Sequence, residues 1–132
     1  MKKIAKIIYY WLPPFIWMYI IFHFSSYRRV SVSTEYAVNF YFFKSLHVAE
    51  YALLYFLFFR AFYSLRKKVK SLNLLMIIPF VFCVLYAGTD EFHQTFILTR
   101  QGRPRDVLID IVGMSIMYIY IRLFLPWLKK VL

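Results

Sequence analysis

Long uncharged apolar runs, separated by short segments that hold most of the charge, organise this chain. The runs at 4–24, 46–65, 72–95 and 106–128 nearly exhaust its 132 residues. Each is near the length of about 20 residues at which a helix crosses the ~30 Å hydrocarbon of a bilayer. The pattern predicts an all-α polytopic membrane protein, with four transmembrane helices in one small bundle and a single domain over 1–132. Pro13 and Pro14 fall inside the first predicted helix and Pro79 inside the third. Proline removes a backbone hydrogen bond, so bends that can open a cavity are expected there, although membrane helices also tolerate proline as a packing feature.

Composition narrows the class further. Hydrophobic residues make up 62% of the chain and glycine contributes only 3 positions, which excludes an ordinary soluble domain, a collagen-like chain and a disordered segment. The single cysteine, Cys83, lies in an apolar run and cannot close a disulfide within the chain. The 15 Phe, 12 Tyr and 3 Trp read mainly as lipid contacts and an interfacial belt. The basic amino end leads into an apolar run with no short core closed by a small-residue cleavage site, so it reads as a retained anchor rather than a signal peptide.

A formal net charge of +11 could indicate nucleic acid, but the cations sit at the ends of apolar runs and line no hydrophilic face. No nucleic-acid partner is expected. Membrane topology explains the charge instead, because cytoplasmic segments carry the excess Lys and Arg. One side holds Lys2, Lys3, Lys6, Arg60, Arg66, Lys67, Lys68, Lys70, Arg122, Lys129 and Lys130; the other holds Arg28, Arg29, Lys44, Arg100, Arg103 and Arg105. Both termini are thereby expected in the cytoplasm, the loops at 25–45 and 96–105 outside, and 66–71 as a short inner hairpin. Arg60 and Arg122 are expected to reach the cytoplasmic headgroups.

The acids carry the functional signal. Glu50, Asp90, Glu91, Asp106 and Asp110 lie in or at the ends of predicted spans, and only Glu35 falls in a loop. A carboxylate at the bilayer centre costs on the order of 3 kcal/mol, so such groups face a bundle interior or a wet cavity and find partners there. Helical spacing groups His47 with Glu50 and Tyr51, Asp90 with His93 and Gln94, and Asp106 with Asp110 and Gly113, with Glu91 about 100° round from Asp90. All three stripes fall at one level of the membrane. They read either as a buried hydrogen-bonded network with interfacial side chains, or as a site. The candidate site comprises His47, Glu50, Asp90, Glu91, His93, Gln94, Asp106 and Asp110. The arginine-rich turn Arg100-Gln101-Gly102-Arg103-Pro104-Arg105 adds a helix amino terminus and three guanidiniums, a seat for phosphate or carboxylate. These arginines can equally pair with Asp106, Asp110 and Glu91 or hold lipid headgroups. Ser26 in Ser25-Ser26-Tyr27-Arg28-Arg29 joins Arg100, Arg103 and Arg105 as a candidate binding residue.

The ordered pieces Phe24-Ser25-Ser26, Lys44-Ser45-Leu46-His47-Val48-Ala49-Glu50-Tyr51-Ala52, Asp90-Glu91-Phe92-His93-Gln94, and Arg100 through Asp110 to Gly113 resemble the VanZ-like family of small membrane proteins, named for teicoplanin resistance. The chain departs from the family pattern at Tyr27, where Gln is frequent, and at 115–117, where a second glycine is expected. The latter implies looser packing of the inner half of the fourth helix. The resemblance implies a multi-pass protein linked to teicoplanin-type glycopeptide resistance or to cell-envelope physiology.

Two function classes use these residues. One is a binding protein that takes an amphiphilic envelope lipid or lipoglycopeptide antibiotic at the outer leaflet, with arginines on the anionic group and aromatics on the tail. The other is a membrane-embedded hydrolase or transferase acting on a phosphate or ester of a lipid-linked substrate, in which His47 or His93 moves a proton and Glu50 or Asp90 orients it. Among cofactors, a divalent metal is compatible with the oxygen and nitrogen donors of His47, Glu50, Asp90, Glu91, His93, Asp106 and Asp110. Proton-coupled transport is disfavoured, since no relay of ionisable groups reaches the inner side. No oligomeric partner can be assigned.

Overall fold

Four helices account for nearly all of the residues that the computed structural model describes, which are 3–27, 34–97, 102–130 and 132. They are α1 (Lys3–Ser26), α2 (Tyr36–Tyr63), α3 (Leu72–Gln94) and α4 (Pro104–Leu128). All four are long and apolar enough to cross a membrane. Three match the predicted spans to within two residues at each end, the usual uncertainty of helix boundaries. The exception is α2, which begins at Tyr36 rather than at 46, so residues 36–45 of the expected loop are helical. Its first turns carry Tyr36, Tyr41 and Phe42 on exposed positions. Asn39, Lys44 and Ser45 lower the hydropathy of these turns without breaking the helix, and two of these side chains bond back to carbonyls one turn earlier, Asn39 to Glu35 and Ser45 to Tyr41.

Local chemistry sets the ends. Ser71 caps α3 by accepting a hydrogen bond from the Leu74 amide, and Pro104 opens α4 behind an extended Arg103. Helix α1 runs through Pro13 and Pro14, and α3 through Pro79.

Helix α2 is the central element: it packs on α1, α3 and α4, and its contact with α4 is the most extensive. Gly113 makes that contact close, because a Cβ at this position would collide with the Val48 backbone of α2. Below Gly113 the core is formed by Tyr51, Leu54, Tyr55, Phe58 and Phe59 of α2 against Met76, Cys83, Met114 and Ile121. The inner half of α4 keeps Ile121, Leu125 and Leu128 buried.

Lipid is as apolar as these side chains, so the hydrophobic effect does little to hold the helices together; close packing and interhelical hydrogen bonds do. Aromatic residues supply several such bonds. Trp17 Nε1 donates to the Glu50 carbonyl (2.9 Å), Tyr55 Oη to the Met76 carbonyl (3.2 Å) and Tyr86 Oη to the Met18 carbonyl (2.6 Å), joining α1 to α2, α2 to α3 and α3 to α1. Part of the aromatic content is therefore internal fastening, while Tyr9, Tyr19, Tyr41 and Trp127 stay on the surface as expected.

The start of α1 and the end of α4 share one end of the bundle, where Tyr10 Oη donates to the Leu132 carbonyl (2.8 Å). The two cations expected to reach headgroups have partners within the protein. The Arg60 guanidinium lies 4.3 Å and 4.8 Å from the Tyr9 and Tyr10 ring centroids, and Arg122 donates to Asn73 Oδ1 (2.7 Å).

Candidate functional site

At the opposite end, polar side chains from all four helices meet. Ser25, His47, Asp90, Glu91, Gln94, Asp106 and Asp110 are all buried. Within the helices the backbone groups bond to one another, so apart from one backbone amide at the start of α4 these side chains satisfy one another.

At the centre, His47 Nδ1 lies 3.1 Å from Asp110 Oδ1, joining α2 to α4. Glu91 of α3 completes the group: one donor atom each from His47, Glu91 and Asp110 lie within 4.8 Å of one another. Asp110 Oδ2 and the Tyr51 hydroxyl are buried here with no hydrogen-bond partner among the described residues. Tyr51 also lies within electrostatic reach of Asp90, Asp110 and Glu91.

Asp90 takes a neutral donor on each oxygen. Ser25 Oγ donates to Oδ1 (2.5 Å) and Gln94 Nε2 to Oδ2 (2.9 Å), tying the end of α1 to α3. Gln94 Nε2 also approaches Glu91 Oε1 at 3.5 Å.

The start of α4 folds back on the end of α3 through Gly102, where any Cβ would strike the Glu91 carbonyl oxygen. This close approach places the Arg103 amide on Glu91 Oε2 (3.0 Å). The anion nearest the amino end of α4 is thus the protein's own Glu91, with Asp106 in the first turn, a favourable use of the helix dipole. Asp106 takes the Lys44 ammonium 2.6 Å from Oδ1, close but not aligned as a hydrogen bond, and Arg105 Nε lies 3.8 Å from the same oxygen.

The predicted residues therefore separate into groups. His47, Glu91 and Asp110 form the centre, with Asp90 and Gln94 beside them. Asp106 lies at the rim with Lys44 and Arg105, and Arg103 is exposed there. His93 does not join His47: its Nε2 is 3.1 Å from Ser26 Oγ and its ring packs on Phe22, so Ser26 and His93 form a separate pair on the outside of α1 and α3. Glu50 is half-buried, and its carbonyl holds Trp17. Arg100 lies outside the described residues. Sequence reasoning did not select Ser25, Lys44 and Gly102 as site residues, although each stands beside a polar motif. It placed Tyr51 on the His47 stripe without giving it a role.

Four membrane-spanning helices enclosing a buried polar cluster define a multi-pass helical membrane protein. The VanZ/LLP1 family model matches residues 8–125, nearly the whole chain, and the protein belongs to that family. No curated protein and no solved structure matches it.

Proposed function

We propose that this protein binds the anionic head of an amphiphilic envelope molecule, a membrane lipid or a lipoglycopeptide antibiotic, at the outer leaflet, and contributes in this way to teicoplanin-type glycopeptide resistance. The observation that carries the reading is the combination of a buried polar centre with a cationic rim, Lys44, Arg103 and Arg105, set between lipid-facing helix surfaces. The excess of Lys and Arg at the other end supports an extracytoplasmic position for the site, with both termini in the cytoplasm. Apolar side chains such as Phe92, Phe96 and Leu108 are exposed beside the rim and offer a surface for an acyl tail.

The test is binding of teicoplanin and of a polyprenyl phosphate to the protein in nanodiscs of neutral lipid. At about 1 kcal/mol per cation, the Arg103→Ala, Arg105→Ala double variant is expected to lose roughly tenfold or more in affinity for at least one of them. Unchanged affinity for both refutes the reading.

A second reading rests on the His47–Asp110 pair at 3.1 Å. A histidine oriented by a buried carboxylate is the usual arrangement of a general base, and in an enzyme His47 would take the proton of an attacking water or alcohol while the rim arginines neutralise a phosphate. The orienting group is then Asp110, in place of the Glu50 or Asp90 expected from spacing. Phosphate or fatty-acid release from a lipid-linked substrate, lost in His47→Gln, separates this reading from simple binding.

A further inference from the structure

The central cluster presents a charge problem. Among the described residues, Asp90, Glu91, Asp106 and Asp110 are buried together, and Lys44 and Arg105 both go to Asp106. Asp90 is satisfied by uncharged Ser25 and Gln94. Glu91 and Asp110 remain with a backbone amide, a distant amide nitrogen and the His47 ring. Two carboxylates facing one imidazole at membrane depth are stabilised by a shared proton or by a further cation, and three donors converging from three helices favour the cation. A cluster so rich in carboxylate would also repel a phosphate that came close to it.

We infer that His47, Glu91 and Asp110 bind a divalent transition-metal ion. Their donors come from three helices and lie within 4.8 Å of one another. An ion about 2.1 Å from each ligand sets adjacent donors about 3 Å and opposite donors about 4.2 Å apart. The 3.1 Å between His47 Nδ1 and Asp110 Oδ1 is already the adjacent spacing. Glu91 offers a carboxylate oxygen within 4.8 Å of both.

The surroundings are those of ligands held in place. The Arg103 amide fixes Glu91 Oε2, and the Gly102 turn fixes that amide. Asp110 Oδ2, buried without a hydrogen-bond partner among the described residues, is an available lone-pair donor. The unpartnered Tyr51 hydroxyl can bond to water on the ion. One imidazole nitrogen with two carboxylates suits Mn2+, Fe2+ or Zn2+; soft Cu(I) prefers sulfur ligands, and Ca2+ takes six to eight oxygens. Three protein ligands leave positions open, and a phosphate oxygen can fill one. In this last respect the inference extends the binding reading; the ion itself does not depend on it.

The experiment uses the full chain in detergent micelles, stripped with a chelator and titrated with Mn2+ while the electron paramagnetic resonance of free Mn2+ is followed. Zn2+ competition is measured on the same samples. The expected result is saturation at a single ion per chain. Affinity should fall by about 100-fold in Asp110→Asn and in Glu91→Gln and stay unchanged in Glu35→Gln. Spin-echo modulation from a directly bound imidazole nitrogen should appear in the wild-type protein, a readout that survives should both ligand variants fail to fold. Absence of saturable Mn2+ or Zn2+ binding to folded wild type overturns the inference. So does undiminished binding in both ligand variants, or bound Mn2+ with no nitrogen coupling. Lipid and teicoplanin binding by the chelator-stripped protein is measured separately, so loss of the ion and loss of the headgroup reading are told apart.

Discussion

The two ends of the bundle treat charge in opposite ways. At one end, four carboxylates are buried and tied to other parts of the chain: Asp90 to Ser25, Asp110 to His47, Asp106 to the Lys44 ammonium, and Glu91 to the backbone leading into α4. At the other, the sequence places no carboxylate near Arg66, Lys67, Lys68, Lys70, Lys129 and Lys130, and all six side chains are exposed. There a pocket of about 400 Å³ is lined by Arg66, Lys67, Lys70 and Lys129 around Leu72, Leu75 and Leu125. Water and headgroups solvate the exposed cations, so each contributes little to the fold. The buried acids have no such recourse, and changing one leaves its neighbour stranded.

The largest expected effect follows from that contrast. The Lys44 and Asp106 side chains are 12% and 7% exposed, so Lys44→Met removes the cation from a pair water barely reaches. Breaking a buried pair from one side costs about 3–5 kcal/mol. The thermal midpoint in detergent should drop sharply. Lys44→Met with Asp106→Leu should regain most of the loss, since replacing both partners by apolar groups is often neutral. Equal midpoints for the single and double variants would mean the ion pair is not what holds this end.

Gly113 gives the next effect down. It lies at the junction of the polar end and the apolar core, and a side chain there meets the Val48 backbone rather than a movable side chain. Gly113→Leu should destabilise by about 1–3 kcal/mol through overpacking and separate α2 from α4. It should also weaken the His47–Asp110 contact, which spans the same two helices. Gly88, with open space where its Cβ would stand, serves as the matched control, and Gly88→Leu is expected to leave the midpoint nearly unchanged.

The same contrast explains how much the sequence revealed. Spans were legible because hydropathy over about 20 residues is a strong signal. The amino end of α2 was not, because Asn39, Lys44 and Ser45 interrupt the apolar run while the backbone continues as helix. That misplacement hid Lys44: read as a loop cation, it stands one helical turn before His47 and reaches Asp106. Depth was readable from which segments hold acids, but phase was not. Neighbouring residues on a helix point about 100° apart, so Ser25 joins Asp90 while Ser26 goes to His93. Likewise Glu91, off the Asp90 stripe, is the acid that meets His47 and Asp110. Which member of a polar pair turns inward depends on interhelical rotation, and that is fixed by contacts such as Gly113 on Val48 and Tyr86 on Met18.

The smallest effects belong to the basic end, and they sharpen the comparison most directly. Arg122 is exposed, and its hydrogen bond to Asn73 links α4 to the start of α3; Arg60 stacks on Tyr9 and Tyr10. The Arg122 bond is as short as the buried contacts of the polar end, yet Arg122 is exposed and Arg60 is only half-buried. Arg122→Ala and Arg60→Ala should each cost below about 1 kcal/mol, the range for exposed polar contacts and cation–π pairs. Raising salt should weaken what remains of these contacts in the wild type, while the Lys44–Asp106 pair, shielded from ions, should hardly respond. A loss in Arg122→Ala as large as in Lys44→Met would show that distance, rather than burial, ranks the polar contacts of this bundle.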